Sequence, residues 1–197
     1  MVIDRCRFNS SCNGLRMIMP SENVLVSGCT FVGPGRSPHR TTSDKGGDML
    51  HAMIFEPGGW GDAPGTLSCI YIKDCTAENV LSPFCMTLQD DNHCTDVTID
   101  AYRATNCRMA LSVKSWGSAT TDKVTIRNSS FSFIGIPEPG LGAKIASMPF
   151  DQWPYFPSYG AYFRNVGEVV LDDVSFSTIG PDDRDDVFTD NVGSLTR

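Results

Sequence analysis

The sequence predicts an all-β fold, a single right-handed parallel β-helix of about six to eight rungs. Two observations carry that prediction. The first is a short pattern that keeps returning: Val24-Leu25-Val26-Ser27-Gly28-Cys29, Ile70-Tyr71-Ile72-Lys73-Asp74-Cys75, Val97-Thr98-Ile99-Asp100, Val124-Thr125-Ile126-Arg127-Asn128 and Val169-Val170-Leu171-Asp172-Asp173. Each places a branched residue first and an aliphatic residue third, then turns polar. The second is the interval. Val97 and Val124 are 27 residues apart, and Val24 and Ile70 are 46 apart, or two steps of 23. A strand repeated at such a step marks a solenoid, in which each repeat buries its apolar face only against its neighbours. A leucine-rich repeat of similar period needs a Leu-rich consensus, whereas these rungs are rich in Val and Ile.

In chain order, the pattern predicts strands near 2–8, 23–31, 69–75, 96–102, 123–133 and 168–176. A second strand follows in most rungs, at 14–19, 51–56, 84–89, 109–116 and 160–165. Ala110-Leu111-Ser112-Val113-Lys114 alternates. Phe84-Cys85-Met86-Thr87-Leu88 is more continuously apolar, as in a strand buried on both sides or lining a cleft. Apolar spacing of three and four residues nowhere persists for several turns, which predicts almost no helix. The whole chain, 1–197, reads as one domain with insertions near 33–65 and 135–158. The second insertion holds Pro137, Pro139, Pro149, Trp153, Pro154, Tyr155, Phe156 and Pro157. Long loops on solenoids gather on one side and commonly form the binding face. The same aromatics suit a cover over the C-terminal end of the core.

Cys6, Cys29 and Cys75 each stand five residues after a strand start, in the register of Tyr102, Ser129 and Val174. That register predicts an internal column of free thiols one strand spacing apart, about 4.8 Å. A disulfide framework is the alternative, although a chain of this length buries a sizeable core without staples. No Cys-x-x-Cys pair exists, and Cys85, His93 and Cys94 lack a metal-ligand spacing, so neither a metal nor a cofactor is expected.

The formal net charge is −7, which argues against a nucleic-acid partner. No apolar run reaches membrane-spanning length. Val2 to Phe8 already reads as a rung directly after Met1. An open solenoid end exposes apolar edge, so self-association or a preceding segment of a longer, secreted or periplasmic parent is expected to cover it.

The stretch from Val97 through Phe133 resembles the polygalacturonase family of glycoside hydrolases. It carries Ala110-Leu111-Ser112-Val113-Lys114-Ser115-Trp116 and then Val124-Thr125-Ile126-Arg127-Asn128. The ending is similar to that family's bacterial members: Tyr159-Gly160-Ala161-Tyr162-Phe163-Arg164-Asn165-Val166, then Val174-Ser175-Phe176 and Pro181-Asp182-Asp183-Arg184. The resemblance implies that Lys114 binds the carboxylate of an acidic sugar. Ser112 stands where the family has Arg, and the rung Ser82 to Gln89 lacks the family's Gly-His-Gly. The family's Asp-Asp rung falls on 47–55, which offers Asp48 and His51, and Asn13 stands in place of a further carboxylate.

Inverting hydrolysis needs two carboxyls about 6.5 to 9.5 Å apart, one acid and one base. The candidates are Asp48, Glu56, Asp90 and Asp91. Substrate-binding candidates are Lys114, His51, Arg16, His39, Arg40, Trp60 and Trp116, since cations hold a uronate carboxylate and indole rings stack against sugars. Bland alternatives stand beside these: Asp90-Asp91-Asn92 as a turn, Asp48 as a loop cap, His39-Arg40 paired with nearby acids. The leading expectation is hydrolysis of an acidic, pectin-like polysaccharide. The alternatives are a non-catalytic carbohydrate-binding or structural β-helix, and a lyase or epimerase on the same scaffold. For the latter, Asp182, Asp183, Asp185 and Asp186 form an acidic cluster, unless they pair with Arg184.

Overall fold

The computed structural model describes residues 1–39, 47–58 and 61–197. Strand accounts for 61% of the chain and helix for 5%, and every strand pairing is parallel. The chain is a parallel β-helix, and its rungs have three faces. The first face stacks β1 (Val2–Asp4), β4 (Glu22–Ser27), β7 (Gly65–Lys73) and β10 (Asn92–Asp100). The second stacks β2 (Arg7–Phe8), β5 (Thr30–Val32), β8 (Thr76–Glu78) and β11 (Arg103–Cys107). The third stacks β3 (Asn13–Met17), β6 (Met49–Phe55), β9 (Val80–Leu88) and β12 (Leu111–Ser115). Three longer strands, β13 (Thr120–Ile134), β14 (Ser158–Ile179) and β15 (Asp185–Thr196), run around the corners and carry the stacks onward.

The first-face pattern has a plain physical cause. Val24, Val26, Ile70, Ile72, Val97, Ile99, Val124, Ile126 and Val169 are all at most 1% exposed, at alternate positions of strands in register. Burying each such side chain stabilises the fold by about 1.5–3 kcal/mol relative to exposure. The corner between the first and second faces turns on one residue per rung. Arg5, Gly28, Asp74, Ala101, Asn128 and Asp173 all hold φ between 50° and 60°, in the left-handed region. The sequence pattern reads straight across this bend, which is why two strands look like one. Other corners are tied by asparagines: Asn106 donates to Asn79 Oδ1 at 3.1 Å, and Asn191 to Asn165 Oδ1 at 2.7 Å.

The thiol column forms in the register the spacing predicts. Thr30 N donates to Cys6 O, Thr76 N to Cys29 O and Arg103 N to Cys75 O, one rung after another. All eight cysteines are unpaired. Cys29 and Cys75 are buried, while Cys6, in the first rung, is exposed. Burial pushes the Cys75 thiol up to about 11.

The 135–158 insertion carries a short helix, α1 (Leu141–Ala146), and lies on the third face rather than over the end of the core. Phe156 stacks on Tyr162 of β14 at 5.0 Å, and Trp153 packs edge-on against Tyr162 and against Phe188 of β15. These rings form a second, smaller apolar cluster with Ala110, Met109 and Phe150. A buried ion pair locks the insertion down. Arg184 grips Asp182 at 2.6 and 2.9 Å and donates to the Phe156 carbonyl, while Asp182 accepts from Ile136 N. Burial acts to raise the Asp182 carboxyl, but the hydrogen bonds of Arg184 and of the Ile136 N–H hold it below the usual carboxylate range. Two more acids of that cluster have partners: Asp183 accepts from Gly140 N, and Asp186 from Arg197.

Candidate functional site on the third face

The outward residues of the third face line up rung by rung. Cys85 of β9 sits opposite Ile54 of β6 and Ser112 of β12, and Thr87 sits opposite Lys114. Strand alternation sets this direction, because Phe84 and Met86 on either side of Cys85 are fully buried in the core. In β6 the alternation slips: Ala52 and Met53 are both fully buried, and His51 turns to the side that Cys85 occupies.

His51 joins two rungs there. Its Nδ1 lies 2.9 Å from Oδ1 of Asn13 on β3, and its imidazole acts to lower the Cys85 thiol. The Ser112 hydroxyl donates to the same sulfur at 3.6 Å, and Thr87 Oγ1 stands 3.6 Å from it. Cys85 is 3% exposed. Burial alone pushes its thiol up. The Lys114 ammonium, the His51 hydrogen bond and charge, and the Thr87 hydroxyl outweigh burial and bring it down to about 6. The contrast with the other buried thiols is one of neighbours. Cys94 and Cys107, buried without a cation beside them, are pushed up to about 12. A cysteine lowered by adjacent positive charge is a thiolate at neutral pH, the form that acts as a nucleophile.

The insertion walls this site on the side of the later rungs. Lys114 Nζ lies 5.5 Å from the Phe156 ring centre. Arg164, opposite Lys114 on β14, places its guanidinium 4.6 Å from the Trp116 ring and pairs with Asp190. Trp116 packs against Phe150 at 4.3 Å. The structure therefore brings Lys114, His51 and Trp116 onto one face, with Arg16 at its near edge.

The four candidate carboxylates are spread over three places, with only Asp90 and Asp91 in one pocket. Arg16 is ion-paired with Glu56 at 2.7 Å on the third face. Asp48 pairs with Arg108 at 3.3 Å and lines a pocket with Pro34, Asn79 and Asn106, at the corner between the second and third faces. Asp90 and Asp91 form a turn at the opposite corner, where Asp90 Oδ1 accepts from Ser118 N at 2.6 Å. With Asp62, Gln89 and Asn92 they line a pocket of about 280 Å³. His39 lies half-buried in the first insertion. Arg40 and Trp60 lie outside the described residues. Among the described residues, no three His, Cys, Asp or Glu side chains gather as metal ligands, and no helix is long and apolar enough to cross a membrane.

Sequence reasoning picks out His51 and Lys114 but passes over Cys85, which reads as one more core thiol in an apolar run. The available signal is the rung step itself: 27 residues carry Cys85 onto Ser112 and Thr87 onto Lys114. No family model, curated protein or solved structure matches the chain.

Proposed function

We propose that this β-helix binds an acidic polysaccharide along its third face. One observation carries the reading: two cations in register on adjacent strands, Lys114 and Arg164, each set against an aromatic ring, Phe156 and Trp116. The half-buried Trp116 ring gives apolar surface for the C–H face of a sugar, and Lys114 gives a charge-assisted hydrogen bond to a uronate carboxylate. Adjacent strands stand about 4.8 Å apart, so successive units of a glycan laid across the rungs meet successive side chains. The test is calorimetric titration with oligogalacturonate and with a neutral oligosaccharide of equal length. Binding of the acidic ligand alone, weakened about tenfold or more in Lys114→Ala, supports the reading; a charge-assisted bond of about 1.5–3 kcal/mol sets that size. Equal binding of both ligands, or of neither, overturns it.

A second reading rests on the acid-lined pocket at the end of the same face. Asp62, Asp90 and Asp91 put three carboxylates around one pocket, and two-carboxylate hydrolysis uses such a pair. Release of reducing ends from polygalacturonate, lost in Asp91→Asn, is the result this reading predicts. Full turnover in both Asp90→Asn and Asp91→Asn removes it.

A further inference from the structure

We propose that the pocket at the corner between the second and third faces binds a small zwitterion with an aliphatic side chain, an α-amino acid of the leucine class. The site lies apart from the residues that carry the glycan reading and stands whether or not a glycan binds.

The pocket holds about 450 Å³, within the usual range of small-molecule sites. Strand order makes its two halves differ. On the second face β8, β11, β13 and β14 follow one another, so the residues at this corner succeed one another along the helix axis. The first two are Asn79 and Asn106, and the next two are Ile134 and Ile179. The floor is therefore polar over two rungs and apolar over the next two. Ile134 and Ile179 are direct partners on β13 and β14, and they are 42% and 53% exposed. Two branched side chains held side by side in water favour an aliphatic group laid over them. Their rungs lie about 5 and 10 Å beyond that of Asn106, so a leucine-sized side chain directed along the axis covers the nearer one.

The polar half matches an α-ammonium beside an α-carboxylate. Asp48 immediately precedes β6, and Arg108 immediately follows β11. They pair at 3.3 Å with 48% and 58% of their side chains exposed, and an ion pair so exposed contributes little to stability. It yields to a ligand that offers each partner an opposite charge, the carboxylate to Arg108 and the ammonium to Asp48. The asparagines repeat that division. Asn106 donates to Asn79 Oδ1 at 3.1 Å. Whichever way the two amides are turned, such a bond leaves one NH₂ and one C=O over, a donor for the carboxylate and an acceptor for the ammonium. The left-handed φ of 56° and 54° explains asparagine at both positions, but it explains neither the isoleucines nor the charged pair beside them. Among the described residues no aromatic ring lines the pocket, which argues against a sugar.

The test is an amide NMR titration of the whole chain with leucine, with glycine, and with 4-methylpentanoate, which is leucine without its amine. Leucine should shift the side-chain amide signals of Asn79 and Asn106 and the backbone signals of Arg108 and Ile134, and the shifts should saturate. Glycine and 4-methylpentanoate should each bind more weakly than leucine. Arg108→Gln should weaken leucine binding about tenfold or more, the size of one charge-assisted hydrogen bond. No saturable shift with leucine, shifts that map away from this corner, or equal binding of either control ligand overturns the proposal. So does unchanged leucine affinity in Arg108→Gln. The wild-type map and ligand series stand independently of how any variant folds. Arg108→Gln should bind oligogalacturonate as the wild type does, so failure here is separable from failure of the glycan reading.

Discussion

His51 Nδ1 lies 2.9 Å from Asn13 Oδ1, although 38 residues separate them, because one turn of the helix brings β3 under β6. That bond restrains the imidazole, whose charge acts to lower the Cys85 thiol on the next rung. Asn13→Ala frees the ring to rotate. The expected outcome is slower alkylation of Cys85 by iodoacetamide at pH 7, with the thermal midpoint little changed. Alkylation as fast as in the wild type contradicts a positioning role for Asn13.

Burial raises the Cys85 thiol, and the Lys114 ammonium does most to bring it down. Removing the ammonium leaves burial less opposed. In Lys114→Gln the Cys85 ionisation midpoint should rise by roughly one pH unit or more, the usual effect of a nearby opposite charge. An unchanged midpoint in the pH dependence of alkylation means that the two groups do not interact.

The 135–158 insertion should be acid-labile. Asp182 is held below the usual carboxylate range, so its contribution is present above the unfolded pKa, near 4, and is lost as pH falls through the lower folded value. Trp153 packs on the third face and donates to the Met148 carbonyl, so its fluorescence reports the docking. A change in emission below about pH 4, moved to neutral pH in Asp182→Ala, is the expected result. Leaving Arg184 buried without its partner costs on the order of 3–5 kcal/mol. Emission of Asp182→Ala identical to wild type at pH 7 contradicts the clamp.

Ala101 holds φ 52° at a corner where other rungs use Gly28, Asp74 and Asn128. A left-handed conformation costs a β-carbon-bearing residue roughly 1–2 kcal/mol, which glycine escapes at a smaller entropic cost. Ala101→Gly should therefore raise the melting temperature slightly. Gly28→Ala should lower it, because the added Cβ would also stand 3.1 Å from Arg5 Cγ. Shifts of the opposite sign contradict the corner argument.

The same corner shows what could be read from the residues alone. Val97-Thr98-Ile99 and Val124-Thr125-Ile126 declare the first face, since period-two burial repeats at the rung step. The bend between first and second faces is legible at Gly28, Asp74, Asn128 and Asp173, types that tolerate the left-handed region, and hidden at Arg5 and Ala101, which carry no turn signature. The site is hidden for a different reason. Asn13, His51, Cys85 and Lys114 come from four rungs, and no local motif links them. Lys114 and Trp116 are legible through the alternating stretch Ala110-Leu111-Ser112-Val113-Lys114 around them. Cys85 is legible only once rung registers are known. Asp48, Asp90 and Asp91 are recognisable as acids, but their partners Arg108 and Ser118 arrive from distant rungs.

The cations of the third face favour the thiolate of Cys85. The most direct measurement is a pH titration of thiolate ultraviolet absorbance, taken as the difference between wild type and Cys85→Ser, with no reagent required to reach the sulfur. One thiol should ionise with a midpoint of about 6. A midpoint at or above the ordinary cysteine value, about 8.5, would contradict it.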